Sequence, residues 1–275
     1  MRYYIADLHF FHANMNTRMD RRGFKNVEEM NEYMIEKWNG KVRKNDDVII
    51  IGDLSWGNAE ETNALLKRLN GRLYLIQGNH DRFLTNKDMD ASRFKWIKPY
   101  EELSDNKRKV VLCHYPIMCY NGQYRLDENG EPKTYMLHGH VHDTQDQRLL
   151  EQFQEITRQT VTIDTQGNKR NIPCNMINCF CMYSDYVPLS LDSETPERTM
   201  FGNTAFLYAL IRQMQDVGIR VEISEEEIEH FAVIDHSLVW HGGMNLLGKE
   251  DAWDNLIRVR DEKAAAELLA MAFEG

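Results

Sequence analysis

Five apolar, β-branched runs in the first half of this chain each end in a short island of metal-binding side chains. The runs are Tyr3-Tyr4-Ile5, Val48-Ile49-Ile50-Ile51, Leu73-Tyr74-Leu75-Ile76, Val110-Val111-Leu112 and Tyr135-Met136-Leu137. The islands that follow are Asp7-Leu8-His9, Gly52-Asp53, Gly78-Asn79-His80-Asp81, Cys113-His114 and Gly139-His140-Val141-His142. Such runs read as buried strands. Neighbouring strands of one sheet bring their carboxyl ends together, so residues far apart in sequence can line one cleft. The pattern therefore predicts an α/β layered fold with seven candidate ligands at strand ends: Asp7, His9, Asp53, Asn79, His114, His140 and His142.

Helical spacing of apolar residues over 27–39 and 60–69 supplies crossover helices between the first strands. Residues 120–134, polar and turn-rich, are expected to form a loop over the edge of the site. Residues 145–166 read as a helix followed by a hairpin built on Thr160-Val161-Thr162-Ile163.

Carboxylate, imidazole and amide oxygen together suit Mn, Fe, Zn, Co or Mg rather than a thiolate zinc site. Two such cations about 3.5–4 Å apart, joined by one carboxylate, can clamp a phosphate and activate a water between them. Asp53 fits the bridging position. Any island alone would read as a turn aspartate or a hydrogen-bonded core histidine. Five in succession reverse that reading. His138, just before the Gly-His-Val-His turn, reads as structural.

The order D-X-H, G-D, G-N-H-D, a lone H and G-H-X-H, over about residues 1–190, resembles the calcineurin-like metallophosphoesterase family. The resemblance implies two β-sheets packed face to face with helices outside, and two divalent metal ions as cofactors. It puts Asp7, His9, Asp53 and His142 on the first ion, and Asp53, Asn79, His114 and His140 on the second. The activity it implies is hydrolysis of a phosphomonoester or phosphodiester through a metal-bridging hydroxide. His80 would be the catalytic histidine that binds no metal and stabilises or protonates the leaving oxygen, with Asp81 orienting it. His12 and Asn14 resemble a local pattern of small bacterial members and are substrate-side candidates, against a plain role in loop capping. Gly52, Gly78 and Gly139 would allow tight turns where a Cβ would crowd the metals.

Two departures narrow the resemblance. Asn175-Met176-Ile177-Asn178-Cys179 lacks the aspartate with which members often end an Asn-apolar-Gly-X-Asp segment, which leaves the pocket wall and the substrate open. Gly52-Asp53-Leu54-Ser55-Trp56-Gly57 lacks the G-D-X-X-D-R-G of protein phosphatases and disfavours that subfamily.

With 275 residues, 42% of them hydrophobic, the chain is long enough for one large domain and one small one. No apolar run reaches the ~18 residues of a membrane span, and the first ligand strand begins at the N-terminus, so a cytoplasmic protein without a membrane partner is expected. The five cysteines are an odd number without framework spacing and read as reduced thiols. Cys179 and Cys181 are too close along a strand for an unstrained bridge.

The chain changes character near residue 193. Residues 194–275 hold 16 acidic and 7 basic residues, against 27 and 26 in residues 1–193, so most of the net charge of −10 lies in the tail. A metallophosphoesterase domain over 1–193 and a small α/β domain over 194–275 are expected. In the second, an amphipathic helix over 204–215, strands at 219–221, 231–235, 238–240 and 256–259, and a closing helix over 262–272 are predicted. His230-Phe231-Ala232-Val233-Ile234-Asp235, with Gly242-Gly243-Met244-Asn245 after it, resembles one half of a phospholipase D-like domain. Aligned on Asp235, Ile228 stands where that superfamily needs its nucleophilic histidine, His230 replaces its lysine and Gly243 its serine. The resemblance then implies a half-site without chemistry, which packs or pairs with a second copy in a homodimer. His236 and His241 default to surface or packing roles.

The function predicted is that of a metal-dependent phosphoric ester hydrolase whose partner is a phosphate-ester substrate. The alternatives are a non-catalytic scaffold of the same fold, and a nuclease or repair module. Retention of every ligand counts against the first. Against the second, the acidity of the tail speaks against phosphate-backbone binding there, leaving nucleic acid only as a substrate.

Overall fold

The computed structural model describes residues 1–192 apart from 128–131, 164–166, 168 and 173, and beyond these the backbone of 231–234, 238–242 and 256–260. The chain divides into two compact units, Met1–Gln213 and Met214–Gly275.

In the first unit, β1 (Arg2–Ile5), β2 (Asp47–Ile51), β3 (Arg72–Ile76) and β4 (Phe94–Lys98) form a parallel sheet in that order. Parallel neighbours need crossovers. A short helix α1 (Ala13–Thr17) and the longer α2 (Val27–Lys41) lie between β1 and β2, and α3 (Ala59–Arg68) between β2 and β3. The Asn26 side chain caps α2 by accepting from the Glu29 amide, and Asn58 with Glu61 forms a reciprocal capping box on α3. The helices thus begin within a residue of the positions that apolar spacing predicts.

A second sheet runs β10 (Met176–Asn178), β7 (Thr134–His138), β6 (Arg108–Cys113), β5 (Tyr100–Asp105), with β5 antiparallel and the rest parallel. A helix, α4 (Gln145–Gln159), and a hairpin, β8 (Val161–Ile163) with β9 (Lys169–Asn171), separate β7 from β10, as predicted.

Strand alternation builds the layers. Val48 and Ile50 of β2 join Met30, Met34, Trp38, Leu65 and Leu66 in the core under α2 and α3. Ile49 and Ile51, with Tyr4 and Ile76, meet Val110 and Leu112 of β6 and Leu137 of β7 between the sheets. On the other face of the second sheet, Val111, Met136 and Met176 pack with Leu150 of α4. Each buried Ile or Leu contributes about 1.5–3 kcal/mol. The result is two face-packed sheets with helices outside, the fold the ligand pattern implied.

One expectation is corrected. The described part of the 120–134 segment does not cover the strand ends that carry the ligands. Lys133 accepts from the Lys109 amide and Tyr120 Oη from the Asn175 amide, at the starting ends of β6, β7 and β10. The reason is topological: β6 and β7 are parallel, so the connection after His114 must travel back along the sheet before β7 can begin.

In the second unit, β11 (Phe231–Ile234), β12 (Leu238–Gly242) and β13 (Leu256–Arg260) form an antiparallel sheet in sequence order. Three of the strands predicted there are thus present. Ile228, His230, Asp235, His236, Gly243 and Asn245, the predicted strand at 219–221 and the helices over 204–215 and 262–272 lie outside the described residues.

Candidate metal centre

Asp7 and His9 follow β1, Asp53 follows β2, Asn79 and His80 follow β3, His114 follows β6, and His140 and His142 follow β7. All seven candidate ligands come together where these strands end. Nε2 of His9 lies 3.3 Å from Nε2 of His142 and 3.5 Å from Oδ2 of Asp53, and Nε2 of His142 lies 3.6 Å from Oδ1 of Asp7. On the other side of Asp53, Nε2 of His114 is 3.4 Å from Oδ2 of Asp53 and 2.9 Å from Oδ1 of Asn79, which is 3.0 Å from Nδ1 of His140. Donor atoms of Asp7, His9 and His142 converge within 4.8 Å, as do those of Asp7, Asp53 and His114, so both groups could hold a metal ion. In the second group the side of His114 that counts is Nε2. Its Nδ1 is 3.0 Å from the Ile51 carbonyl, which fixes that nitrogen as a donor and turns Nε2 toward Asp53 and Asn79.

The backbone shows how tightly this cluster is constrained. Asp7, His9, Asp53, His140 and His142 all have positive φ, between 47° and 71°. Non-glycine residues in the left-handed region cost of order 1–3 kcal/mol each and persist where the surroundings over-determine them. Glycines supply the remaining room. A Cβ on Gly78 would fall on Oδ1 of Asp53, one on Gly52 on the His114 ring, and one on Gly139 within 2.5 Å of Oδ2 of Asp7. Backbone amides then hold the carboxylates: His80 donates to Asp53 and His140 to Asp7.

Electrostatics fit a cation. Asp7 and Asp53 are buried at 0% and 2% exposure, and among the described residues neither is ion-paired with a lysine or arginine. Burial raises the Asp7 carboxyl above its ordinary range despite His142 and His114, and nearby Asp53 adds to the rise. Burial, with Arg22 and His142 near, keeps His9 neutral, and burial likewise lowers His140. For His114 burial opposes the charge, but Asp53 and Asp7 outweigh it and raise the pKa to about 9. Asp53 is buried too, yet His114 and the His80 amide hold its carboxyl below the ordinary range, so it is Asp7 that stays under-neutralised, which is the environment a divalent ion relieves. Nδ1 of His9 is buried without a hydrogen-bond partner.

His80 lies beside this cluster, its ring centroid 5.6 Å from that of His9, and its Nδ1 has no hydrogen-bond partner. Asp81 does not orient it by a direct bond. The Asp81 carboxylate accepts instead from the amides of Gly78, Leu54 and Asp53, at 2.7, 2.8 and 3.1 Å. Burial raises Asp81 to about 6, and its work is to lock the Asp53 loop against the Gly78 loop. His12 reaches the site, stacked on Trp56 with centroids 4.1 Å apart and planes at 5°. It precedes α1 without capping it by its side chain. Asn14 is exposed on α1, and none of its side-chain atoms makes a hydrogen bond among the described residues. His138 is buried, with burial lowering it to about 4, and is structural.

Sequence reasoning missed two groups. Asp20 places Oδ1 2.7 Å from Nδ1 of His142, and the fully buried Arg22 donates to Asp20 and to the carbonyls of Leu8 and Asp7. Trp56 is the second. The only local signal was charge: Asp20-Arg21-Arg22 follows a largely polar stretch, and nothing in it says which arginine turns inward. Asn178 donates to the His142 carbonyl, so the segment that lacks the family aspartate still braces this loop. All five cysteines are free. Among the described residues no helix is long and apolar enough to cross a membrane.

Comparison with known proteins places the geometry in context. The model of the family described as calcineurin-like phosphoesterase matches residues 3–175. An uncharacterized protein of Methanocaldococcus jannaschii is 33% identical over 192 residues, covering 69% of this chain and 86% of that protein. The gene 66 protein of a Mycobacterium phage is 30% identical over 161 residues, covering 51% of this chain and 77% of its own length. Among solved structures, a protein of unknown function from Aquifex aeolicus aligns with a TM-score of 0.47 at 23% identity, covering 69% of this chain and 94% of that one.

Proposed function

The chain belongs to the calcineurin-like phosphoesterase family, and from that premise we propose that it is a phosphoric ester hydrolase dependent on two divalent cations. Asp7, His9, Asp53 and His142 would hold one cation, and Asp53, Asn79, His114 and His140 the other. The observation that carries this reading is the position of Asp53, whose Oδ2 lies 3.5 Å from Nε2 of His9 and 3.4 Å from Nε2 of His114, between one ligand proposed for each cation. When bound, such a pair supplies charge neutralisation at the phosphoryl oxygens and lowers the pKa of water.

The chain's own residues do the rest. Asp81 holds the Asp53 loop, Asp20 and Arg22 hold His142, and the His140 amide fixes Asp7. His80, whose ring lies beside that of His9, is the group that steadies or protonates the leaving oxygen. Residues 194–275 form a separate module without chemistry of its own, which packs or pairs with a second copy.

The test is hydrolysis by Mn-loaded protein of an unactivated phosphoester beside bis-p-nitrophenyl phosphate. His80→Ala should keep both ions and lose ~10²–10⁴-fold in rate on the unactivated ester. Hydrolysis that survives chelation in the full chain and is lost when residues 195–275 are removed would overturn the reading of residues 194–275 as a module without chemistry.

A further inference from the structure

Trp56 stands on the loop after Asp53 with 42% of its surface exposed. Isolated surface aromatics need no explanation, but this one is held in place. His12, 9% exposed, braces the indole by stacking, and the His80 ring lies 5.1 Å away. The exposed Arg82 sets its guanidinium 5.8 Å from the indole centroid and is paired with no carboxylate among the described residues. Trp56, His80 and Arg82, with Ser55, Gly57 and Phe83, line a cavity of about 150 Å³.

That volume is well below the ~300–1,000 Å³ of a whole ligand pocket, so the cavity suits one flat ring system of a larger molecule. Its walls match such a ring: a rigid indole presents a π-face, and the guanidinium can stack on the ring or donate to its edge. A purely aliphatic leaving group would leave both unused.

We infer that this cavity is a leaving-group subsite for an aromatic base, which makes the substrate class a nucleotide ester. The inference rests on the phosphoesterase reading, because only His80's place on the leaving-group side ties the cavity to the ester. The base stacks on Trp56, and Arg82 closes on its edge.

Adenosine tests this without turnover, since it carries no phosphorus. Calorimetric titration of Mn-loaded full-length protein should show saturable adenosine binding that glycerol does not compete away. Base stacking on an aromatic side chain is large enough that Trp56→Ala should weaken it roughly tenfold or more, while Trp56→Phe keeps most of it and both variants retain their metal. Equal adenosine affinity in wild type and Trp56→Ala, or no saturable adenosine binding to wild type, overturns the subsite. If adenosine binds through Trp56 but neither nucleotide esters nor simple phosphomonoesters and phosphodiesters are hydrolysed, the phosphoesterase reading fails and the base site stands. If simple phosphoesters are hydrolysed and adenosine does not bind, the reverse holds.

Discussion

Oδ1 of Asp20 and Nδ1 of His142 lie 2.7 Å apart, and the guanidinium of Arg22 closes the far side of that carboxylate while also binding the Asp7 carbonyl. One buried arginine thus ties together the two loops that carry Asp7 and His142. With Nδ1 committed to Asp20, the ring presents Nε2 to the ligand cluster in a fixed orientation. Asp20→Asn should therefore lower metal affinity by about 10–100-fold while the fold persists. Competition against a chromogenic chelator measures it, and an unchanged affinity would show that Asp20 does not position His142.

Gly139 is packed as closely. A Cβ there would come within 2.5 Å of Oδ2 of Asp7 and 2.7 Å of the Ala6 Cβ, both in the crowded core of the site. Gly139→Ala should cost about 1–3 kcal/mol by overpacking and push Asp7 off its position. Lower melting temperature together with reduced metal content is the expected pair of results. Wild-type values for both would mean the loop has slack that the contacts do not suggest.

Metal removal should destabilise the first unit. A ligand that binds only the folded state at ~100 times its Kd adds about 2.7 kcal/mol, which for a domain of this size corresponds to roughly 5–10 °C. Scanning calorimetry with and without chelator reads it directly. A melting temperature that holds or rises on chelation would contradict the view that the buried Asp7 carboxylate is under-neutralised without a cation.

Away from the site, Glu102 takes hydrogen bonds from Lys109 of β6, from Tyr100 on its own strand β5 and from Asn121 beyond β6, which with the Lys109 charge hold its carboxyl down to about 2. A folded-state value below the unfolded one gives stability that is full above the unfolded value of 4.5 and is lost as pH falls toward 2. Its surface position keeps the effect at ~1 kcal/mol or less. The stability gap between wild type and Glu102→Gln, from denaturant titrations, should close across that window on acidification. A gap that stays constant or widens as the pH falls would show that the shift is not linked to folding.

What could be read from sequence followed from burial. Ile49, Ile50 and Ile51 mark a strand covered on both faces, and the polar residue after such a strand has to lie at its end, so the ligand islands located themselves. Edge elements gave no such signal. β5, Tyr100–Asp105, is mostly polar because one side of it is solvent, and the 120–134 segment was misplaced because the parallel pairing of β6 and β7 is not written in its composition. Asp20 and Arg22 were invisible for a different reason. Asp20 is placed by the ring of His142, 122 residues further on, and Arg22 by the carbonyls of Asp7 and Leu8, and a buried ion pair looks like any surface pair in sequence.

The central claim is that two ions share Asp53 in one cleft, and electron paramagnetic resonance of the protein loaded with two equivalents of Mn(II) tests it most directly. Ions bridged by one carboxylate at about 3.5–4 Å are exchange-coupled, so the account predicts a multi-line coupled spectrum that Asp53→Ala converts to isolated Mn(II) or to no bound ion. A wild-type spectrum of isolated Mn(II) alone, or a coupled spectrum that survives Asp53→Ala, would contradict it.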